Sequence, residues 1–277
     1  MASSDFGWAV ELTGREGWGF VRRDFARILE HTPQGSFVAL RGGRRVGMLT
    51  TFCHGRTCWI GNVVVEGRLR GEGIGRELVR AALIFAAQSS RKRVALLSRE
   101  KTTGFYGALG FRRGARYIGL SGMPGDAAPA DPNVVGIDAR LLSEVLVLDR
   151  EGSGEERRRL LQKLARDFER HFLVYTEKGR ALGFIVGKPG RDMVDVGPWM
   201  CVRGRPAAGE ALFRALASGA KKRLEAYVPA RNLCARRFLE GLGLKQAGRF
   251  IEMHRGPKGR PRSEMVEMLA VAGLEKG

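Results

Sequence analysis

The feature that most restricts the fold of this chain is a segment that occurs twice. With a shift of 133 residues, positions 70–83 align with positions 203–216, and Phe105 falls on Phe238. Between the copies, residues 121–133 are rich in Pro, Gly, Ala and Asp and show no hydrophobic periodicity, which is typical of a linker. An internal duplication predicts two domains of one fold, placed in tandem.

We therefore expect a first domain over residues 1–120, a linker over residues 121–133 and a second domain over residues 134–277. A chain of 277 residues with 44% hydrophobic residues can bury a core in each domain. Apolar runs of strand length alternate with segments of helical periodicity, so the predicted class is α/β with a mixed, mostly antiparallel sheet flanked by helices. In the first domain the pattern predicts a strand at residues 9–12, a helix at residues 18–31 and strands at residues 36–40, 45–52 and 59–65.

One stretch of the first copy has the pattern of a strand, a tight loop and a helix. A β-branched run ends at Val65, glycines follow at positions 71, 73 and 75, and apolar residues then recur at helical spacing. The first turn of a helix leaves backbone N–H groups without helical partners, and glycines let a ligand approach them closely. Arg68, Arg70 and Arg76 add positive charge at this helix start, which favours a pyrophosphate.

The spacing of the glycines separates this loop from two other phosphate-binding loops. A dinucleotide fingerprint requires Gly-x-Gly-x-x-Gly, and a P-loop requires Lys followed by Ser or Thr. The loop in this chain is Arg70-x-x-Gly73-x-Gly75. It resembles the pyrophosphate loop of the GNAT superfamily of acyl-CoA-dependent N-acetyltransferases.

A second stretch of the first copy strengthens the resemblance. Phe105-Tyr106-x-x-x-Gly110-Phe111 is similar to another GNAT signature, in which a helix carries a tyrosine and ends at a glycine before the next strand. The two signatures stand in the family's order and separation. The resemblance covers most of residues 1–120, and it implies that both halves have a GNAT-like fold.

The resemblance also implies acetyl-CoA as the cofactor. In the family, the central strand moves away from its neighbour after a bulge, and the pantetheine arm lies in the gap, held by backbone hydrogen bonds as in strand addition. Val63 and Val65 would supply those bonds here. The residues implied in cofactor binding are Val63, Val64, Val65, Arg70, Gly71, Glu72, Gly73, Ile74, Gly75 and Arg76.

Acetyl transfer to an amine needs a proton acceptor for the nitrogen and a proton donor for the departing thiolate. Given the family pattern, Tyr106 is the candidate donor; the alternative is a core aromatic residue with a hydrogen-bonded hydroxyl. Many relatives carry a glutamate on the central strand, whereas residues 56–65 contain none. The nearest titratable residues are Glu66, Glu16, Glu11 and His54, and a base that acts through ordered water is a further alternative.

The second copy differs from the first where the chemistry would require agreement. Gly73 corresponds to Pro206, which has no N–H, Gly75 corresponds to Ala208 and Tyr106 to Leu239. We therefore predict that the second copy has lost acetyl-CoA binding. In two-domain acetyltransferases that this chain resembles, the second domain walls the acceptor pocket, and we expect the same role here.

The cysteine spacing and the net charge bear on metal binding, on disulfide bonding and on the kind of partner. Cys53, Cys58, Cys201 and Cys234 lack Cys-x-x-Cys spacing, so no metal site is expected. Cys53 and Cys58 flank a turn and could face one another across two strands; the favoured interpretation is buried free thiols, as in a reducing cytosol. The net charge of +19 is spread over both halves, which suits solvated surfaces, a polyanionic cofactor or an acidic partner.

The sequence thus predicts a cytoplasmic acetyl-CoA-dependent N-acetyltransferase with a small-molecule amine as acceptor. No signal peptide or membrane-spanning run is indicated. One alternative is the same chemistry on a protein amine. Another is a non-enzymatic basic module that binds nucleic acid or a regulator and keeps acetyl-CoA as an effector; an intact Tyr106 argues against it. The sequence does not determine the oligomeric state.

Overall fold

A computed structural model of the protein describes residues 1–125, 131–218, 220–259 and 262–277. The chain forms two compact units. The first comprises Met1–Arg113 with two later pieces, Met253–Lys258 and Leu274–Gly277; the second comprises Gly114–Glu252 and Gly259–Gly273. The units are therefore discontinuous in sequence, and residues 126–130 of the predicted linker lie outside the described residues.

The first unit contains four helices and four strands that lie wholly within it. In chain order they are α1 (Phe6–Arg15), α2 (Arg22–His31), β1 (Phe37–Arg41), β2 (Arg44–His54), β3 (Thr57–Val65), α3 (Ile74–Gln88), β4 (Arg93–Arg99) and α4 (Thr103–Gly107). β1, β2 and β3 are antiparallel neighbours, and β4 runs parallel to β3. Antiparallel hairpins followed by a parallel crossover through a helix give a mixed sheet.

Helices pack on both faces of the β1–β4 sheet. On one face α3 contributes Leu78 and Val79, and Leu78 Cδ1 lies 3.3 Å from where a Cβ of Gly47 would stand. On the other face α2 packs: the His31 ring stacks on Phe52 with 3.7 Å between ring centroids. Alternate residues of a strand point to opposite faces, so Gly47, Leu49 and Thr51 face α3, whereas Thr50 and Phe52 face α2.

The predicted strand at residues 9–12 is wrong, because this stretch belongs to helix α1. The buried residues of α1 are Phe6, Ala9, Leu12 and Thr13, which recur every three or four residues and not every second residue. The Thr13 hydroxyl donates to the Ala9 carbonyl one turn earlier, at 2.8 Å. The four-residue window used for the strand is too short to distinguish the two periods.

Cys53 and Cys58 form a disulfide bond, so the interpretation as free thiols is wrong. The register of the β2–β3 hairpin pairs the two residues directly, with their Cα atoms 4.1 Å apart. The hairpin register therefore brings the two thiols together. Cys201 and Cys234 are free; Cys201 is buried and Cys234 is exposed.

A thiol count tests this assignment. Burial in the core raises the pKa of Cys201 to about 12, so its thiolate is scarce at neutral pH. A disulfide-exchange reagent such as Ellman's reagent should therefore titrate one thiol in the native protein, two after unfolding without reductant and four after unfolding with prior reduction. Two rapidly reacting thiols in the native state would contradict the burial of Cys201. Four in unreduced, unfolded protein would contradict the disulfide.

The second unit repeats the order of the first and adds strands. Its elements are β5 (Arg112–Gly122, of which residues 114–122 belong to this unit), β6 (Val134–Gly136), α5 (Ala139–Ser153), α6 (Arg158–Asp167), β7 (Phe172–Glu177), β8 (Arg180–Pro189), β9 (Met193–Val202), α7 (Pro206–Ala217), β10 (Arg223–Pro229), α8 (Leu233–Gly241), β11 (Lys245–Arg255, whose last three residues belong to the first unit) and β12 (Val266–Ala270).

The strands of the second unit run in the order β5-β10-β9-β8-β7-β6, and β12 pairs with β9. Most pairs are antiparallel; β9 and β10 are parallel. The core centres on Trp199 and Phe213, whose ring centroids are 5.4 Å apart, with Phe238 packed against both. Of the helices in the described ranges, none is long and apolar enough to cross a membrane.

Candidate functional site

The glycine-rich loop of the first unit leads directly into helix α3. Gly73 is the N-cap residue of α3 with φ of +86°, and Gly71 has φ of +89°. Both values lie in the left-handed region, where a residue with a Cβ is strained. The loop therefore requires glycine at these two positions for its backbone path.

The start of α3 presents backbone N–H groups. The Glu77 N–H donates to the Gly73 carbonyl at 3.1 Å and makes the first bond of the helical ladder, so the N–H groups of residues 74–76 precede it. These groups carry the positive end of the helix dipole. Arg76, in the same turn, is exposed and adds a full positive charge. This helix start can bind an anion such as a pyrophosphate.

Two arginines hold the loop in place. The Arg70 Nε donates to the Val65 carbonyl at 3.1 Å, and its Nη2 donates to the Glu16 carboxylate. The Arg41 guanidinium pairs with Glu72 on the other side of the loop. Arg70 thus joins the end of β3 to the turn between α1 and α2, which is an anchoring role that the sequence did not indicate.

Strand β3 separates from β4 next to this loop. Among the described residues, the two strands pair only from Thr57 to Trp59. On its other edge β3 has a bulge where its pairing with β2 shifts between Met48 and Thr50, and Asn62 adopts φ of +51° there. Beyond Trp59, the edge of β3 that contains residues 63–65 is therefore not paired with β4, and it leads to the start of α3.

Tyr106 lies on α4, which packs against the start of α3. The Phe105 ring is 3.5 Å from where a Cβ of Gly75 would stand, and the Phe105 and Tyr106 rings meet edge to face at 4.9 Å. Tyr106 is buried, with 9% of its surface exposed. Burial disfavours the charged form and raises its pKa, so the phenol keeps its proton at neutral pH. The Tyr106 ring thus lies beside Phe105, which contacts the start of α3, and its hydroxyl is protonated.

The four candidate bases have different surroundings in the structure. Glu16 is ion-paired with Arg70, and Glu66 lies 3.4 Å from the Arg68 guanidinium. Glu11 is exposed on α1, and His54 is buried with its ring 6.2 Å from that of Phe52. The described residues contain no cluster of three His, Cys, Asp or Glu that could hold a metal ion.

The second copy differs from the first at its helix start and at the edge of its central strand. α7 begins at Pro206, which has no N–H, and Ala208 is buried. In the part of the chain that the structure describes, β9 pairs with β10 as far as Val196, and beyond it β9 pairs with β12. Leu269 of β12 lies 2.8 Å from where a Cβ of Gly209 in α7 would stand. Beyond Trp59 the edge of β3 is not paired with β4, whereas the equivalent edge of β9 in the second unit is paired with β12.

β12 is also held from the β10 side of this gap. The Val271 N–H donates to the Tyr227 carbonyl at 3.1 Å, and the Asn232 amide donates to the Met268 carbonyl at 3.3 Å. These hydrogen bonds occupy backbone groups that a pantetheine arm in this gap would need as its own partners.

The structure contains a surface depression of about 480 Å³ whose lining does not include the glycine-rich loop. It is lined by Met1, Ala2, Asp5, Val38, Leu40, Gly43 and Arg45. It contains none of the residues predicted to bind a cofactor, and the Asp5 carboxylate in it is paired with Arg45 at 2.7 Å. Its volume alone does not make it a candidate site.

Both halves of the chain match family models. Residues 8–111 match the Acetyltransferase (GNAT) family, and residues 145–266 match the Acetyltransferase (GNAT) domain. The chain belongs to the GNAT superfamily. The predicted tandem GNAT-like α/β fold is therefore confirmed. A search of curated proteins found no match.

Solved GNAT structures share this fold over nearly the whole chain. A protein from Pyrococcus horikoshii, classed as an acetyltransferase, has a TM-score of 0.83 at 20% identity over 100% of this chain and 94% of its own. A GCN5-related N-acetyltransferase from Sphaerobacter thermophilus has a TM-score of 0.65 at 15% identity, covering 96% of each chain. A tandem GNAT protein from the clavulanic acid biosynthesis pathway has a TM-score of 0.64 at 16% identity, covering 93% of this chain and 98% of its own. At these identities the likeness is one of fold.

Proposed function

We propose that the protein is an acetyl-CoA-dependent N-acetyltransferase that acetylates a primary amine of a small molecule by direct attack in a ternary complex. The observation that carries the proposal is the contrast between the copies. In the first, the edge of β3 not paired with β4 leads into an N–H-rich helix start, and in the second β12 fills the equivalent gap. A single competent copy beside a degenerate one fits one cofactor site per chain.

The residues of the first copy fit coenzyme A by their chemistry. The N–H groups of residues 74–76, with the side chain of Arg76, would bind the pyrophosphate. The backbone at residues 63–65 would hold the pantetheine arm as an added strand. Gly71 and Gly73 leave the approach open, since a Cβ at either position would meet no atom within 4 Å. Bound there, acetyl-CoA would supply the acetyl group as a thioester.

The proposed role of Tyr106 is to hold a proton on its hydroxyl oxygen and give it to the departing sulfur. Its raised pKa keeps that proton in place at the pH of the reaction. The backbone amides near residues 63–65 would polarise the carbonyl of the acetyl group. The role of the second unit in shaping the acceptor pocket stays a prediction.

Reversing the charge of Arg76 tests the cofactor site. Arg76 occupies the first turn of α3, where glutamate is compatible with the helix but repels a pyrophosphate. We expect Arg76→Glu to weaken coenzyme A binding by about 10- to 100-fold, which corresponds to about 1.4–2.8 kcal/mol, as measured by calorimetry. The control is Arg158→Glu, an exposed arginine at the start of α6, which should bind like the unmodified protein. Equal affinity in both variants would contradict the proposed site.

An amine panel distinguishes the acceptor classes. Free thiol released from acetyl-CoA is measured with small primary amines, with lysine-containing peptides and with N-terminal peptides. Turnover confined to small amines supports the proposal, whereas turnover confined to peptides supports a protein acetyltransferase. No turnover combined with tight RNA or DNA binding, lost steeply as salt is raised, would support a nucleic-acid-binding module.

A further inference from the structure

A short segment at the end of the sequence belongs to the first unit. After β12, residues Leu274–Gly277 pack with strands that are about 200 positions earlier in the chain. Glu275 lies over Gly61 of β3: a Cβ on Gly61 would stand 2.2 Å from the Glu275 Cβ. Gly277 lies against the Trp59 ring in the same way. Glycine at position 61 is therefore what allows the 274–277 segment to lie on β3.

The 274–277 segment lies on the sheet face opposite α3. Gly61 pairs with Thr50, and Trp59 pairs with Phe52, so these residues share the α2 face. Lys276 contacts this face as well, with its Nζ 5.9 Å from the centroid of the Phe52 ring. A residue advances about 3.3 Å along a strand, so Gly61, over which Glu275 lies, is roughly 7 Å from the start of the proposed pantetheine edge at Val63.

The chemistry of the segment is that of an ammonium site. The Lys276 Nζ donates to the Glu275 carboxylate, and the two side chains are 16% and 12% exposed. A carboxylate beside an aromatic face attracts a primary ammonium through charge and through the ring quadrupole. Lys276 is such an ammonium, held within the chain. The structure therefore places a buried carboxylate over β3, a strand whose own residues include no acid.

We propose that Glu275 is the acceptor-binding carboxylate of the enzyme: it binds the primary ammonium of the substrate in place of Lys276 and then accepts a proton from the attacking nitrogen. This inference rests on the proposed acetyltransferase function. The class of acceptor that it assigns is a primary amine next to an apolar or aromatic group, because Phe52 and Trp59 line the same face.

The proton and bond changes balance as follows. The bound ammonium first loses one proton to solvent through Glu275. The neutral nitrogen then forms a bond to the acetyl carbon while the carbon–sulfur bond breaks, and its remaining excess proton passes to the Glu275 carboxylate. The leaving sulfur takes a proton from the Tyr106 hydroxyl. Exchange with solvent restores the carboxylate and the phenol before the next turnover.

The test is Glu275→Gln in the full-length chain. Glutamine keeps the shape of the side chain but can neither carry the charge nor accept the proton. With the best amine from the panel, we expect kcat/KM to fall by about 10²- to 10⁴-fold, while the dissociation constant for coenzyme A changes less than twofold. Glu264→Gln, which alters an exposed glutamate of the second unit, is the control and should retain the activity of the unmodified protein.

A second variant is expected to improve the KM, a result that misfolding would not produce. Lys276→Met removes the ammonium that competes for Glu275, so the KM for the amine should fall about three- to tenfold. Unchanged activity in Glu275→Gln would overturn the proposal. Increased activity would overturn it as well, because it would show that the 274–277 segment blocks the acceptor site. An unchanged KM in Lys276→Met would also count against it. If the unmodified protein fails to bind coenzyme A, the proposed function itself fails, which calorimetry reveals independently.

Discussion

Replacing Tyr106 with phenylalanine is expected to lower kcat by about 10²- to 10⁴-fold, the range for loss of a general acid. Phenylalanine preserves the ring that packs against Phe105 and Phe111, with centroids 4.9 Å and 6.0 Å away, so only the hydroxyl is lost. Coenzyme A affinity should change less than twofold, since the proposed contacts of the cofactor lie on α3 and β3. The measurement is steady-state kinetics with acetyl-CoA and a saturating amine, followed by thiol release.

The matched control is Tyr175→Phe. Tyr175 is also buried, at 8% exposure, and its hydroxyl accepts a hydrogen bond from Asn133 in the second unit. Loss of that hydroxyl should leave kcat unchanged. Equal kcat in the Tyr106 and Tyr175 variants would show that Tyr106 is a core aromatic, which was the alternative interpretation of its sequence motif.

The raised pKa of Tyr106 gives this prediction a pH dependence. A tyrosine with the ordinary pKa of about 10 would begin to lose its proton, and its donor role, near that pH. Because burial holds the pKa of Tyr106 above that value, kcat should show no fall from Tyr106 ionisation up to about pH 10. In the unfolded chain the phenol ionises more readily, so this residue's contribution to stability is complete below about pH 10 and is lost as the pH rises through the folded-state pKa.

Replacing Asp149 with alanine is expected to destabilise the protein by about 3–5 kcal/mol. The Arg157 guanidinium donates from Nε and Nη2 to the two Asp149 carboxylate oxygens at 2.9 and 2.5 Å. Both side chains are only 1% exposed. Removal of the carboxylate leaves a buried cation without its counter-charge. The measurement is denaturant unfolding followed by circular dichroism.

Two further variants make the result specific to the buried pair. Glu240→Ala breaks the exposed pair with Arg236, whose atoms are 2.8 Å apart, and should cost at most about 0.5 kcal/mol. The double variant Asp149→Ala with Arg157→Leu removes both charges and should recover much of the stability lost in the single variant. A single variant within 1 kcal/mol of the unmodified protein would show that the pair is not effectively buried.

The sequence predicted the parts of the molecule that local patterns determine. The glycines at positions 71 and 73 indicated the loop because few other residues adopt the backbone that it needs. Pro206 likewise indicated that the second copy lacks one N–H group at its helix start. The helix at the start of the chain was missed, since four residues cannot distinguish helical from strand periodicity.

Other features depend on contacts between distant residues, which no local pattern shows. The disulfide is more local: Cys53 and Cys58 are five residues apart and were expected to be able to face one another across two strands, and only their oxidation was not predicted. The insertion of β12 beside β9, and the placement of Glu275 over Gly61, join residues far apart in sequence. The absence of an acidic residue from β3 could be read from the sequence. The proposed role of Glu275 could not, because it depends on where the end of the chain lies in the fold.

The discontinuity of the two units bears on how the protein can be dissected. A fragment that ends at residue 120 would lack Met253–Lys258 and Leu274–Gly277, which complete the first unit, and would carry part of a strand whose partners belong to the second. Neither half of the sequence repeat therefore contains all the residues of one compact unit. The positions at which the sequence repeats therefore do not mark where the chain could be cut into independent parts.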